Sequence, residues 1–392
     1  MCHPGTDARH ANAPATAEEP GVSYLQAFVI ALVQGVTELF PVSSLGHSVL
    51  LPAWIGGSWQ IMVTQSSQAD SGSSFYLAYI VALHCATALA LLWFFRADWV
   101  RLIRGFFSSI RDRRVETSGQ RLAWMIVLAT IPVGVTGLAL EHTFRTLFAK
   151  PAAAAVFLVI NGLILLAAER RRRAVTRAQQ PTVPLLAVPG PAGHQAAGHQ
   201  PPRYQPADFP APGHPAPRYQ AGSQPPGYEP PRYQAGGYRS RPVSHARRRG
   251  GREVADIRAA ELSDVRIARL SFRDSLYVGV LQIAALLAGI SRSGVTMAGG
   301  LWRGLDHEDA ARFAFLLATP PILAAGVLKL PSLAGSAGAH IHGQVLLGVV
   351  VTAITAYLSV RFLVRYFQTR TLTPFAIYCL ALGALSIARF AF

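Results

Sequence analysis

The chain has 392 residues, of which 51% are hydrophobic and only 14% are charged, and its mean hydropathy is +0.30. Because soluble domains carry about 25% charged residues, this composition excludes an ordinary soluble enzyme and predicts an integral membrane protein. The formal net charge of +16 is concentrated in residues 170–273, which hold 18 arginines and 6 acidic residues, so it indicates loop topology and predicts no nucleic-acid partner.

The chain starts with a polar tail, residues 1–23, which we expect to be disordered and which lacks the pattern of a cleaved signal peptide. Residues 24–51 then form an apolar stretch that is interrupted by the polar sequence from Gln34 to His47. The stretch is too interrupted to span a bilayer. It predicts a re-entrant helix hairpin, which membranes tolerate only where the backbone is buried in protein or lines a cavity.

Six apolar runs are long enough to cross a membrane. In chain order they are residues 75–95, 122–140, 152–168, 313–330, 345–363 and 374–391. Residues 171–273 separate a first membrane half, 24–170, from a second, 274–392. The part at 174–250 is rich in Pro, Gly, Gln, Tyr and Arg, and such a segment cannot bury enough apolar surface to fold. We expect a largely disordered cytoplasmic insertion, either simply solvated or binding a cytoplasmic partner or anionic lipid.

A second interrupted stretch, residues 275–305, opens the second half. The first stretch can be laid over it so that Gln34 falls on Gln282, Ser43 on Ser291 and Gly46 on Gly294. Paired interrupted segments in two halves of a chain indicate a binding site near the middle of the membrane. Ionisable groups at such depth mark a functional site by default.

The arginine-rich loops set the predicted topology. Loops 96–121, 170–273 and 361–370 are assigned to the cytoplasm, and loops 52–74, 141–151 and 331–342 to the outside. These assignments agree only if neither interrupted stretch crosses the bilayer. The predicted fold is therefore an all-α polytopic membrane protein with six transmembrane helices and two re-entrant helix hairpins, 24–51 and 275–305, in an inverted-topology repeat.

The polar residues of the two hairpins suit the binding and cleavage of a phosphate. Arg292 offers a planar charged fork for phosphate oxygens, and hydroxyls and turn amides near it add donors, from Ser291, Ser293, Gly294 and Thr296. Glu38 could hold a divalent cation or act as a base, with Gln34 one turn earlier as a weak co-ligand. His47 is a candidate acid or base, and Ser43 or Ser44 a candidate nucleophile.

His84 lies in the middle of a predicted span, where the sequence leaves packing and function equally open. A phosphorylated substrate that reaches a site at membrane depth should carry an apolar tail, which favours a lipid phosphate over a free nucleotide.

At these residues the sequence resembles the bacitracin-resistance family of undecaprenyl-diphosphatases. The family's first motif, Glu/Gln-Gly-x-Thr-Glu-Phe-x-Pro-Val-Ser-Ser-x-Gly-His, is matched from Gln34 to His47. The second, Pro-Gly-x-Ser-Arg-Ser-Gly-x-Thr, is matched from Gly289 to Thr296. The resemblance covers residues 24–170 and 271–392. The chain departs from the family's usual sequence in places: Gln34 stands where a glutamate is common, Leu45 replaces a frequent threonine, and Ala288 replaces a proline.

The resemblance implies an enzyme of the bacterial plasma membrane that removes one phosphate from undecaprenyl diphosphate. The product is the lipid carrier used in peptidoglycan synthesis, and recycling it confers bacitracin resistance. The resemblance also implies a divalent cation, Mg or Ca, and a site that faces outward. It assigns the catalytic roles to Glu38, Ser44, His47 and Arg292. We expect the substrate phosphates to be bound by Ser43, Ser291, Ser293, Gly294 and Thr296.

Two other functions stay open. An inverted repeat is transporter architecture, so a flippase for polyprenyl phosphate is the alternative. A scaffold that acts through the basic insertion is the second. The oligomeric state, monomer or dimer, stays open as well.

Overall fold

The structure is a computed structural model that describes residues 22–68, 75–140, 150–179, 258–333 and 342–391. All regular elements in these ranges are helical, which confirms the predicted all-α class for the described chain. Most of the tail predicted at 1–23 and most of the insertion predicted at 174–250 lie outside these ranges.

The first half contains seven helices within the described ranges: α1 (Tyr24–Thr37), α2 (Ser44–Ile55), α3 (Ser58–Gln68), α4 (Phe75–Phe94), α5 (Arg96–Asp112), α6 (Ser118–Ala139) and α7 (Pro151–Gln179). After the insertion come α8 (258–267), α9 (Phe272–Leu281), a 3₁₀ turn (Gln282–Leu286), α10 (Arg292–Trp302), α11 (His307–Leu333), α12 (His342–Tyr366) and α13 (Thr373–Ala391).

Five described helices are long and apolar enough to cross a membrane: α6, α7, α11, α12 and α13. Helices α4 and α5 meet at a bend of 85° and provide a sixth candidate if they are taken as one span. Helix α4 and the five long helices each contain one of the six runs predicted from the sequence, up to one terminal residue. The protein is thus a multi-pass membrane protein.

Some segments expected to be loops are helical. Residues 52–74 contain α3, whose Met62 and Val63 are buried against a cluster that includes Tyr79. Residues 96–121 contain α5, where arginines alternate with apolar residues at helical spacing. Helix α7 also continues past the arginine run at 170–173 and ends at Gln179, since arginine is a good helix former.

Both interrupted stretches fold as a helix, a short loop and a second helix. In the first, Ser43 caps α2 and its Oγ accepts a hydrogen bond from Gly46 N at 3.2 Å. In the second, Ser291 caps α10 and its Oγ accepts one from Gly294 N at 3.1 Å. Ser43 and Ser291, which the sequence overlay pairs, therefore have the same role as helix N-caps. A serine at an N-cap accepts a hydrogen bond from a free amide of the first turn.

Helices of the two halves alternate in the packing. The most extensive contacts pair α1 and α4 with α12, α4 with α11, α6 with α9, and α7 with α13. Tyrosines of α4 also hold the first hairpin: Tyr79 donates to the carbonyl oxygen of Ala27 at 2.6 Å, and Tyr76 to that of Ser48 at 2.9 Å. The largest buried cluster contains residues of both halves, so the two hairpins are positioned by both halves together.

Helix α8 is fixed to α5 and α11 by buried charges. Arg312 donates to Asp264 at 2.7 Å and to Asp98 at 2.8 Å, and Arg101 donates to the same two carboxylates. Asp264 is 1% exposed. The residues of α8, which follow the insertion at 174–250, therefore pack against the membrane part of the protein.

Candidate active site

The loops of the two hairpins touch each other at their tips. Gly289 N donates to Ser43 Oγ at 3.1 Å, and the approach is close enough that a Cβ on Gly46 would lie 2.9 Å from Gly289 Cα. Gly289 has φ +112°, and a Cβ there would lie 2.4 Å from the carbonyl oxygen of Ala154. Only glycine fits a backbone that combines this conformation with such contact. A backbone amide of the second motif is thus hydrogen-bonded to a side chain of the first.

Asn161 of α7 bridges the two loops. Its Oδ1 accepts from Ser291 N at 3.0 Å, and its Nδ2 donates to the carbonyl oxygen of Pro41 at 3.0 Å. The hydroxyl of Ser293 donates to the carbonyl oxygen of Phe40 at 3.4 Å. Because buried backbone groups need partners, these bonds fix how the two loops face each other.

A small cavity of about 20 Å³ lies where the two loops meet α4. Polar side chains from both hairpins and one from α4 dominate its wall. The lining residues are Glu38, Ser43, Ser44, Leu45, His84, Ala285, Ile290, Ser291 and Arg292. An acid, hydroxyls, an imidazole and a guanidinium are therefore gathered in one place.

The Glu38 carboxylate is the centre of the polar contacts in this cavity. Its Oε2 atom accepts hydrogen bonds from the Ser44 hydroxyl and from Gln34 Nε2, the latter at 3.1 Å. His84 Nε2 lies 3.2 Å from the same oxygen, and His84 Nδ1 lies 2.8 Å from the carbonyl oxygen of Ile80. Three side chains thus hold the carboxylate through one oxygen, which links Ser44 to His84.

The Arg292 guanidinium is the cation of the cavity, at the start of α10. Its Nε and Nη1 atoms are buried and lack a hydrogen-bond partner among the described residues. A buried donor without a partner costs about 1–3 kcal/mol, and more if it is charged. A positive helix end adds to the field there. The arrangement is suited to an anionic ligand that completes the missing hydrogen bonds.

His47 lies beside the cavity, outside its lining. Its Nδ1 is 2.7 Å from the carbonyl oxygen of Ser43, and its Nε2 is 2.8 Å from the hydroxyl of Tyr378 on α13. The two rings are parallel, with centroids 5.7 Å apart. Both nitrogens of His47 are thus engaged away from Glu38, so the structure separates the two predicted acid–base residues.

The other predicted residues divide into those in the cavity and those behind it. The structure brings together Glu38, Ser43, Ser44, Ser291 and Arg292. Gln34 stands behind Glu38, and Ser293 and Gly294 support the cap formed by Ser291. Thr296 is 1% exposed, and its hydroxyl has no partner among the described residues; it lies one turn behind Arg292, outside the lining.

The oxygens near Glu38 suit a divalent cation in a limited way. The described residues contain no group of three or more His, Cys, Asp or Glu that could hold a metal. However, Gln34 Oε1 is a buried acceptor without a partner there, and Glu38 Oε1 takes none of the three contacts above. Mg²⁺ is commonly bound by one or two carboxylates together with substrate phosphate oxygens, and Glu38 with Gln34 fits that role.

Three site residues were not predicted as such. His84 and Asn161 are single polar residues in apolar runs, and that isolation is a signal of function at membrane depth. Tyr378 gave no comparable signal, because tyrosine is common near the ends of spans. Their contacts come from α4, α7 and α13, far from the motifs in sequence.

Comparison with known proteins gives a consistent result. The sequence model of the family described as bacitracin resistance protein BacA matches residues 27–191 and 251–385. The chain is 57% identical to undecaprenyl-diphosphatase 2 of Frankia alni, over 94% of this chain and 98% of that protein. It is 47% identical to undecaprenyl-diphosphatase of Mycolicibacterium paratuberculosis, over 93% and 97%. It is 34% identical to undecaprenyl-diphosphatase 2 of Burkholderia ambifaria, over 92% and 95%. The chain therefore belongs to the bacitracin resistance protein BacA family.

Proposed function

We propose that this protein hydrolyses undecaprenyl diphosphate to undecaprenyl phosphate and inorganic phosphate. The observation that carries the proposal is the Arg292 guanidinium beside the Ser44–Glu38 pair, since its buried Nε and Nη1 have no partner in the part of the chain that the structure describes. The names of the relatives support the substrate. The product is the lipid carrier for peptidoglycan synthesis, and its recycling accounts for resistance to bacitracin.

The residues have distinct roles in the proposed reaction. Arg292 binds oxygens of the terminal phosphate and stabilises the charge that spreads over them in the transition state. The Ser44 hydroxyl, or a water, attacks the terminal phosphorus, and the bond from that phosphorus to the bridging oxygen breaks. The proton of the nucleophile passes to Glu38, which already accepts a hydrogen bond from Ser44, or to His47. The lipid monophosphate leaves with the bridging oxygen. If Ser44 is the nucleophile, a water then attacks the phosphorus of the resulting phosphoserine, the bond to Ser44 Oγ breaks, and inorganic phosphate leaves as the serine regains a proton; if water attacks directly, inorganic phosphate forms in one step.

A divalent cation, Mg or Ca, completes the proposed site. When bound at Glu38 and Gln34, it supplies positive charge that neutralises the diphosphate. A glutamine in place of a second carboxylate lowers the negative charge of the ligand set, so we expect weaker cation binding than at a site with two glutamates.

The proposed membrane arrangement has six spans, with α1–α2 and α9–α10 as re-entrant hairpins of an inverted repeat. It is supported by the matching caps at Ser43 and Ser291 and by the arginine-rich loops. The site then opens to the extracytoplasmic side, where a diphosphate carrier is released during wall synthesis, and the insertion 174–250 is cytoplasmic. A dimer and a cytoplasmic partner or anionic lipid for the insertion are compatible with this arrangement.

The decisive experiment is phosphate release from undecaprenyl diphosphate by detergent-purified protein. We expect release that requires Mg or Ca, that stops on addition of a chelator and that resumes when the metal is restored. Undecaprenyl monophosphate is the control substrate and should release no phosphate. No release by a monodisperse protein with metal present would contradict the proposal and favour transport of polyprenyl phosphate, the alternative that this fold allows.

His47→Ala tests the proton-carrier role that the family resemblance assigns. We expect turnover to fall by at least about 10², the contribution of a positioned acid or base. Tyr378→Phe is the matched control, since it removes only the hydroxyl that binds His47 Nε2. If His47→Ala keeps more than about a tenth of the turnover, a loss far below that of a lost acid or base, then His47 is a structural tie between Ser43 and Tyr378.

A further inference from the structure

The imidazole of His84 is a partly buried polar group that the catalytic roles above do not use. Its side chain is 16% exposed and lies in α4, outside both motifs. One nitrogen faces a carbonyl of its own helix, and Nε2 faces Glu38 Oε2 at 3.2 Å. The hydrogen bond between Nδ1 and the carbonyl oxygen of Ile80 fixes the plane of the imidazole ring. In that orientation Nε2 points at the Glu38 carboxylate.

The contact between His84 and Glu38 matters because the His84 imidazole and the Arg292 guanidinium can both donate hydrogen bonds to this carboxylate. Arg292 lines the same cavity as Glu38, with two nitrogens free of partners in the described chain. An Arg fork and a carboxylate form strong bidentate pairs when they can reach each other. In this structure Glu38 is instead turned to Gln34, Ser44 and His84.

The geometry points to His84 as a positioning residue of the phosphatase site. Its Nε2–H donor holds the Glu38 carboxylate on the Ser44 side of the cavity and so keeps the Arg292 guanidinium open for the phosphate. The inference rests on the proposed function. It adds a residue that, by holding the Glu38 carboxylate, affects both the Ser44 hydroxyl and the Arg292 guanidinium.

His84→Asn and His84→Gln separate this role from simple packing. The glutamine amide can place a donor near the position of Nε2 and reach Glu38, whereas the shorter asparagine amide can serve only the bond to Ile80. We expect His84→Asn to lower kcat/KM by about 10², the scale of a misplaced catalytic group. Part of the loss should appear as a higher KM and a higher inhibition constant for inorganic diphosphate. His84→Gln should recover most of the activity.

A second measurement covers the case in which His84→Asn folds poorly. In a Glu38→Gln background the substitution His84→Gln or His84→Asn should change kcat/KM by less than about threefold, because contacting residues are coupled. Folding is followed by size-exclusion profile and thermal melting in detergent.

The outcomes are distinct. Wild-type protein that releases no phosphate refutes the proposed function itself, and the role of His84 with it. An active wild type with both His84 variants near its rate refutes the role of His84 alone. Equal losses in well-folded His84→Asn and His84→Gln also refute it, as does full additivity with Glu38→Gln.

Discussion

Arg292→Ala is expected to lower the rate of phosphate release by about 10³–10⁵, the range over which an arginine stabilises phosphoryl transfer. The loss should be this large because Nε and Nη1 are buried without a partner in the described chain, and the other cavity groups cannot replace a planar fork. Arg292→Lys keeps the charge but not the two-pronged geometry, so it should recover only a small part of the rate.

The control for Arg292 is the arginine at the other end of α10. Arg303 pairs with Asp274 at 3.2 Å and is 41% exposed, so Arg303→Ala should keep nearly the wild-type rate. Turnover and KM for undecaprenyl diphosphate are the measurements. Arg292→Ala protein with more than about a tenth of the wild-type turnover, far from the expected loss, would overturn the assignment.

The Arg292→Ala substitution should not destabilise the protein. An unpaired buried charge costs free energy in the ligand-free state, so we expect the thermal midpoint of Arg292→Ala in detergent to equal or exceed that of the wild type. Sites that bind charged ligands often carry such a cost. A clear fall in the midpoint would indicate that Arg292 has a structural partner.

Substitution of the two adjacent serines, Ser43 and Ser44, should affect different properties of the protein. Ser44→Ala removes the hydroxyl bound to Glu38 and is expected to lower kcat by about 10²–10⁴, as for loss of a positioned proton-transfer pair. Ser43→Ala removes an N-cap that accepts from Gly46 and Gly289. It should mainly lower stability, by about 0.5–2 kcal/mol.

The Ser43→Ala and Ser44→Ala variants also test whether the nucleophile is Ser44 or a water. A trapped phosphoserine in the wild type that is absent from Ser44→Ala would identify Ser44, and no trapped intermediate together with residual turnover in the variant would favour water. Equal kcat losses in Ser43→Ala and Ser44→Ala would contradict the division of roles. Steady-state kinetics and thermal melting on the same preparations provide the comparison.

The sequence was informative where one segment carries its own signal. The motifs around Glu38 and Arg292 and the long apolar runs could be recognised without a structure, because charge in an apolar context and helix length are local properties. The overlay of the two stretches aligned Ser43 with Ser291, but it did not predict that both serines cap a helix.

The sequence could not show which side chains share a cavity. His84 reaches Glu38 only because α4 packs beside the first hairpin, and His47 turns to Tyr378 because α13 lies on its other side. Both contacts depend on helix rotation and tertiary packing, which a single sequence does not encode locally. For the same reason α3, which is poor in helix-forming apolar residues, was expected to be a loop.

The alternation of the two halves in the packing has a consequence for biogenesis. Helices α1, α4, α6 and α7 find their main partners among α9 to α13, which the ribosome adds only after residues 180–257. Contacts between distant parts of a chain form late, since closing the intervening loop costs entropy. The first half therefore enters the bilayer before its partners exist, and it must persist there unpaired, exposed to membrane chaperones and proteases, until synthesis is nearly complete.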